Sequence, residues 1–295
     1  MAAPKTAPMG ANRVRRVRLA MLTTLGVGGE AEVWEVGSER ELTEATREPY
    51  RVLGAGSNLL VADEGVSERV VKLGPAFNSV RVFDGKADLW LGAATPLPGL
   101  VRRAGLLGLS GLEGLLGVPA TLGGALKMNA GTRFGCLADT LLEAELFVGG
   151  AAIRLPADAL GLGYRRSTLP AGAVVTRLRL GLTPSTPERV GAQLAKVDAA
   201  RKGQPKVKSA GCAFKNPPGG SAGRLIDAAG LKGLRVGGAM VSCEHANFVV
   251  NLGNARAEDV IRLLGLVRAR VGVPLELEWE GWGFEPRASA ARTEA

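Results

Sequence analysis

The apolar residues of this chain come in short, β-branched runs, each cut off by a glycine or a polar turn. YRVLGAG, NLLVAD and RVVKL follow one another between Tyr50 and Leu73. LLEAELFV, AAIRL and AVVTRLRLGL do the same between Leu141 and Leu182. Runs of that length bounded by glycine are strands, and none approaches the roughly 18 apolar residues of a membrane span. Helical spacing is confined to a few windows. In TPLPGLVRRAGLLG, Leu100, Val101, Ala104 and Leu107 share a face, with Thr95 placed to cap, Pro96 in the first turn and Gly108 as the stop. Thr186-Pro187-Glu188 opens a helix running to Arg201, Ala222–Ala229 forms a shorter one closed by Gly230, and Ala257–Val271 carries an apolar stripe of Val260, Leu263, Leu264, Val267 and Val271. MVSCEHANFVVNLG reads as a strand and Thr183–Pro187 as a linker. Strands and helices mixed in this order predict an α+β protein of two or three subdomains.

Composition narrows the function classes. Forty-two glycines beside only 4% aromatic residues suit tight turns and close backbone approaches, and do not suit a base-stacking surface. The formal charge of +9 draws in part on Arg13, Arg15, Arg16 and Arg18 near the start, and a basic cleft steers phosphates and carboxylates as well as nucleic acid. Cys136, Cys212 and Cys243 lack CxxC spacing, so no disulfide framework and no metal site is expected, and the thiols fit a reducing cytosol. The N-terminal arginines followed by LAMLTTLGVGGEA imitate a secretory signal, but the apolar stretch is too short and too glycine-broken to be one.

Four segments could carry chemistry. In LGAGSNLLVAD, Gly54 and Gly56 allow consecutive amides to line a phosphate nest with Ser57 and Asn58 as further donors; the same residues could equally be an ordinary turn between strands. Leu59 stands where a Rossmann fingerprint needs its third glycine, and no Walker lysine is present. GLEGLLGVPATLGGALKMNAG, Gly111 to Gly131, is either a wall against which a flat cofactor can lie or a glycine-rich buried crossover. GYRRS, Gly163 to Ser167, places two guanidiniums beside an aromatic ring, or is a solvated face. SAGCAFKNP, Ser209 to Pro217, combines a thiol, a cation and an amide in a glycine-flanked turn. A thiol with an unperturbed pKa of about 8.5 stays protonated near neutrality and can give a proton to a carbanion; buried, it would be a small hydrophobe. His245, the lone histidine, reads as structural. In LELEWEG, Glu276, Glu278 and Glu280 alternate onto one face, and nothing local says which, if any, is catalytic.

Taken in order, TTLGVGGEA from Thr23, LGAGSNLLVAD, GLEGLLGVPATLGGALKMNAG, GYRRS, SAGCAFKNP, AGRLIDAAGLKG, HANFVVN and LELEWEGWG resemble the flavin-dependent UDP-N-acetylenolpyruvoylglucosamine reductases of peptidoglycan synthesis, over nearly the whole chain. The compact stretch from Leu178 to Pro187 resembles the shorter subgroup, without the inserted tyrosine loop. The resemblance implies two FAD-binding subdomains of vanillyl-alcohol-oxidase (PCMH) type, 21–80 and 81–184, and a C-terminal α+β substrate domain, 185–286, with flexible ends at 1–20 and 287–295. It implies FAD on Gly54, Gly56, Ser57, Asn58, Gly117, Pro119, Thr121, Gly123 and Gly124. It further implies that NADPH reduces the flavin before UDP-N-acetylglucosamine enolpyruvate accepts hydride, giving UDP-N-acetylmuramate. Arg165 then holds the carboxylate, Glu278 assists the polarisation and Cys212 protonates the α carbon, while Tyr164, Lys215, Asn216 and Arg224 contact the substrate. A cytoplasmic monomer without nucleic-acid or membrane partners is expected.

The chain departs from the family at named places. Cys212 stands where many members have serine, GTRFG (Gly131 to Gly135) replaces GAYG, and Ala55 and Ala120 occupy positions that are often glycine. Glu278 is chosen over its neighbours by alignment with the family's LEPEV pattern alone. A flavin-linked oxidase of the same fold, or a basic nucleic-acid-binding protein, is the competing reading.

Overall fold

The structure is a computed structural model and describes residues 14–79 and 87–284. The chain forms two compact units that it enters more than once. Unit 1 holds the residues up to Val17, Glu32–Ser57 and Glu68–Lys206; unit 2 holds Arg18–Ala31, Asn58–Ser67 and the chain from Val207 onward.

Unit 1 is built on two sheets. In the first, β1 (Val14–Arg18), β2 (Glu30–Val36), β5 (Arg69–Leu73) and β3 (Tyr50–Val52) lie in that order, with β5 parallel to both β2 and β3. Parallel neighbours need a crossover, and α1 (Glu39–Ala45) supplies it: Ser38 caps it, accepting from Glu41 N at 3.2 Å, and Leu42 and Ala45 are its buried face. The second sheet is antiparallel, ordered β11 (Ala151–Pro156), β10 (Leu141–Val148), β12 (Val174–Gly181), β6 (Asp88–Gly92). Phe147 and Val174 from this sheet meet Val36 and Val71 from the first and Leu42 and Ala45 from α1, so one apolar cluster joins the two sheets. α2 (Leu97–Leu106) and α3 (Leu122–Lys127) contribute Leu97, Leu100, Val101, Leu122 and Leu126 to the larger core over the second sheet. Two short antiparallel pairs, β7 (Leu109–Ser110) with β13 (Thr183–Pro184) and β8 (Gly131–Thr132) with β9 (Gly135–Cys136), complete the strands of this unit.

Unit 2 has a four-stranded antiparallel sheet, β14 (Ser209–Cys212), β17 (Phe248–Asn251), β16 (Ala239–Val241), β15 (Arg235–Val236). α5 (Ala222–Ala228) and α6 (Ala257–Val271) bury Ala222, Ile226, Val260, Leu263, Leu264 and Val267 against it. β4 (Leu59–Val61) runs parallel to β18 (Glu280–Trp282) in the same unit. The aspartate of LLVAD has a structural use here. Asp63 Oδ1 accepts from Ala257 N at 3.0 Å and Oδ2 from Glu258 N at 3.3 Å, so it caps α6 from a distant part of the chain.

Several sequence expectations are corrected. Of the segment 1–20 expected to be flexible, residues 14–18 form a strand and Leu19 is fully buried, with its N–H bonded to Gly29 O; residues 1–13, and the tail 287–295, lie outside the described residues. Thr183–Pro184 is paired with β7 rather than a free linker, and the expected boundary at 185 falls inside unit 1. The reason is α4 (Pro187–Ala200), whose Leu194 and Val190 cover Gly105 of α2: a Cβ on that glycine would stand 2.7 Å from Leu194 Cδ1. Thr95 does not cap α2. Pro96 holds that position, and Thr95 is fully buried with its hydroxyl accepting from Ser79 N. MVSCEHANFVVNLG is two strands, because Ser242 Oγ accepts the amides of Glu244 and His245 and turns the chain between them.

Replacing Asp63 removes a helix cap that comes from another segment. Asp63→Ala should lower stability by about 1–2 kcal/mol, read as an earlier midpoint in urea unfolding; an unchanged midpoint would show that α6 does not depend on this carboxylate.

Candidate functional site

The glycine loop at Gly54 has the features of a cradle. Leu53 N–H is still tied to Val71 O, but no backbone amide from Gly54 to Ser57 donates to another described residue. Gly56 sits at φ +63, in the left-handed region that favours glycine. A Cβ at Gly54 would stand 2.8 Å from Thr121 Oγ1 and 3.7 Å from Gly124 Cα. Two segments far apart in sequence, Gly54–Ser57 and Thr121–Gly124, therefore meet in unit 1 where only a hydrogen fits.

The second segment is held from behind. Leu122 N donates to Thr95 O and Gly123 N to Ala93 O, both at 2.9 Å, and Gly124 N donates to Thr121 Oγ1 at 3.3 Å. Those amides are engaged within the protein, so what this stretch offers a ligand is its surface. Gly117, at φ +77, accepts from Arg201 Nη2 at 3.0 Å, and Ala120 N turns back to Val118 O over the exposed Pro119. Ala55 and Ala120 adopt no left-handed backbone, so the two methyls that replace family glycines strain nothing at these positions. In GTRFG, Thr132 Oγ1 donates to Gly114 O at 2.8 Å and Arg133 lies over the Phe134 ring.

GYRRS is a tight turn, closed by Gly163 N to Arg166 O (3.1 Å) and Arg166 N to Gly163 O (3.3 Å), with Tyr164 and Arg165 at its tip. Arg165 has φ +55 and its guanidinium lies 5.1 Å from the centre of the exposed Tyr164 ring. A long side chain in left-handed backbone costs energy that surrounding contacts must offset.

In unit 2 the structure brings Cys212, Lys215 and Glu278 together on neighbouring segments. Past Cys212, Ala213 N donates to Asn247 O (2.7 Å) and Ala213 O accepts from Glu278 N (2.8 Å); Lys215 N donates to Glu276 O (2.9 Å). Asn247, 3% exposed, brackets Phe214 by accepting from its N–H at 3.0 Å and donating to its carbonyl at 2.8 Å. Asn58 grips the other segment: its Nδ2 donates to Glu278 O at 2.9 Å and its carbonyl accepts from Glu280 N at 3.0 Å. These asparagine roles escape sequence reasoning. The only signal is an amide inside an apolar strand pattern, where asparagine is disfavoured unless its side chain is used.

The three glutamates separate by burial. Glu276 is exposed and meets Lys215 Nζ at 2.6 Å, Glu280 is exposed and accepts from Trp282 Nε1, and Glu278 alone of the three is half-buried. Asn216 Oδ1 accepts from Ala222 N at the start of α5, and Arg224 is exposed on that helix. The remaining titratable candidates have structural uses. Burial pushes the His245 imidazole down, its Nδ1 accepts from Asn247 N, and its ring meets Phe248 edge-on. Burial, and then the Asp139 carboxylate that accepts from its Sγ, push the Cys136 thiol up. No cluster of metal-ligating side chains occurs among the described residues, and no helix among them is long and apolar enough to cross a membrane.

Two stretches of the chain match models of known families. Residues 33–153 match the family model described as FAD binding domain, and residues 204–281 match the model described as UDP-N-acetylenolpyruvoylglucosamine reductase, C-terminal domain. The UDP-N-acetylenolpyruvoylglucosamine reductase of Thermus thermophilus is 60% identical over 92% of this chain and 99% of its own length. That of Deinococcus radiodurans is 54% identical over 92% of this chain and 96% of its own. The crystal structure of the reductase from Thermus caldophilus superposes with a TM-score of 0.88 at 60% identity, covering 92% of this chain and 99% of that one. With its FAD-binding α+β part and its C-terminal reductase domain both matched, the chain belongs to the UDP-N-acetylenolpyruvoylglucosamine reductase family.

Proposed function

We propose that Arg165, Cys212 and Glu278 carry the reaction of this FAD-dependent oxidoreductase, which reduces UDP-N-acetylglucosamine enolpyruvate to UDP-N-acetylmuramate in peptidoglycan precursor synthesis. The observation that carries the reading is the backbone bond from Glu278 to Ala213, which sets the half-buried glutamate beside the strand that ends in Cys212. FAD is held by Gly54, Gly56, Ser57 and Asn58 and by the surface of Gly117, Pro119, Thr121, Gly123 and Gly124. The uncommitted amides and the glycine contact at Gly54 fit a phosphate-bearing cofactor.

When bound, FAD supplies hydride taken from NADPH to the terminal carbon of the enolpyruvyl group. The remaining work falls to side chains. As that carbon gains hydride, an electron pair develops on the α carbon and spreads into the attached carboxylate. Arg165 pairs with the carboxylate and lowers the cost of that charge. Glu278 assists the same polarisation; it is the half-buried one of the three glutamates, whereas Glu276 and Glu280 are exposed. The Cys212 S–H bond breaks as its proton passes to the α carbon, and the thiolate regains a proton from solvent. Tyr164, Lys215, Asn216 and Arg224 bind the remainder of the substrate. The Lys215–Glu276 pair is compatible with that role, because the carboxylate is exposed (72%) and such an ion pair is weak enough for a diphosphate to compete with it. The protein acts in the cytoplasm as a monomer.

Two experiments follow. Gly54→Val puts branched carbon where Thr121 Oγ1 leaves room only for hydrogen, and should weaken FAD binding at least tenfold, or about 1.4 kcal/mol, read from the flavin-to-protein absorbance of the purified variant; full flavin retention would contradict the cradle. Cys212→Ala should keep flavin reduction by NADPH while reoxidation by the enolpyruvyl substrate slows roughly 10² to 10⁴-fold, with Cys212→Ser restoring much of the rate. Unchanged reoxidation in the alanine variant, measured by anaerobic stopped flow, would remove Cys212 as the proton donor.

A further inference from the structure

Among the described residues only two non-glycines adopt positive φ, Asn129 at +39 and Arg165 at +55. They are 36 positions apart, yet hydrogen bonding couples them. Asn129 Nδ2 donates at 3.1 Å to Gly163 O, the carbonyl at the base of the turn that carries Arg165 at its tip. Asn129 Oδ1 accepts from Ala138 N at 3.0 Å, so the amide is used at both ends and its orientation is set by a donor on one side and an acceptor on the other. The residue is 6% exposed. The far side of the turn is tied to the same stretch of chain, since Ser167 Oγ donates to Lys127 O at 2.9 Å.

We infer that Asn129 is the positioning residue for Arg165. Its buried amide anchors Gly163 O and so holds the strained turn in the one arrangement that presents the guanidinium for carboxylate binding. Leucine or alanine would leave the Gly163 carbonyl with one partner fewer and could not take the left-handed backbone as readily. Aspartate would keep the acceptor for Ala138 N and place a second oxygen against Gly163 O. Asparagine alone meets the backbone and both hydrogen bonds. The inference rests on the carboxylate-holding role of Arg165, and the test separates the two.

The test is a double-mutant cycle on the flavin-loaded enzyme, with Asn129→Gly, Arg165→Ala and the pair, followed by anaerobic reduction with NADPH and reoxidation by the enolpyruvyl substrate. Glycine accepts positive φ and removes only the side chain; Asn129→Asp removes only the donor and serves if the glycine variant does not fold. Either variant should leave flavin reduction within about twofold, slow reoxidation about 10- to 100-fold and raise the KM for the enolpyruvyl substrate, and should add less than about twofold in the Arg165→Ala background. A defect that multiplies with that of Arg165→Ala, or reoxidation at the wild-type rate in the Asn129 variants while Arg165→Ala is impaired, would overturn the positioning role. Wild-type reoxidation in Arg165→Ala itself would remove the reading of Arg165 and the inference with it.

Discussion

The architecture depends on places where two backbones must come closer than a methyl group allows. Glycine is the residue that permits this, and its cost in unfolded-state entropy is offset by what the contact joins. In unit 2 a Cβ on Gly65 would stand 1.9 Å from Glu30 O, and one on Gly29 2.2 Å from Asp63 O. Those contacts tie the 18–31 segment to the loop that caps α6. In unit 1 the Gly54 contact with Thr121 joins the strand-to-loop crossing at residue 53 to the turn into α3. These junctions use backbone where a side chain would not fit, while other glycines, such as Gly149 and Gly150, stand in open turns.

Close approach brings segments together but does not orient what they carry, and asparagine side chains do that part. Asn247 brackets Phe214 behind Cys212, the Asn58 side chain donates to the carbonyl of Glu278, and Asn129 holds the turn that carries Arg165. The gripped backbone group is the carbonyl of Glu278 itself in one case, and in the others it lies two positions from Cys212 and from Arg165. An amide presents a donor and an acceptor in one rigid plane, so it can fix both a carbonyl and an N–H, as Asn247 and Asn129 do; an ionised carboxylate only accepts.

Much of this was legible in the sequence. Strand positions followed from β-branched runs cut by glycine, and α6 from its apolar stripe, because in both cases burial follows the local period. The Gly54 loop and SAGCAFKNP stood out by composition, and their order along the chain carried the family. What was not legible depended on partners distant in sequence. Thr95 looked like a cap from its neighbours, yet its hydroxyl serves Ser79. Residues 185–206 read from sequence as the start of the C-terminal substrate domain, yet Leu194 and Val190 cover Gly105, which no local pattern announces. Residues 14–18 looked like a solvated basic arm, but they are followed by a leucine that the core takes in. Among the three C-terminal glutamates, alternation puts all on one face, and what distinguishes Glu278 is burial, with Glu276 left exposed beside Lys215 and Glu280 exposed beside Trp282.

The most direct test of the account is an anaerobic titration of the purified protein. The flavin band is recorded, bleached with NADPH, and then followed as UDP-N-acetylglucosamine enolpyruvate is added. The account predicts that the oxidised band returns in proportion to substrate added, with UDP-N-acetylmuramate formed in equal amount. A yellow protein that NADPH bleaches but this substrate does not reoxidise would contradict it and leave a flavin enzyme of another specificity.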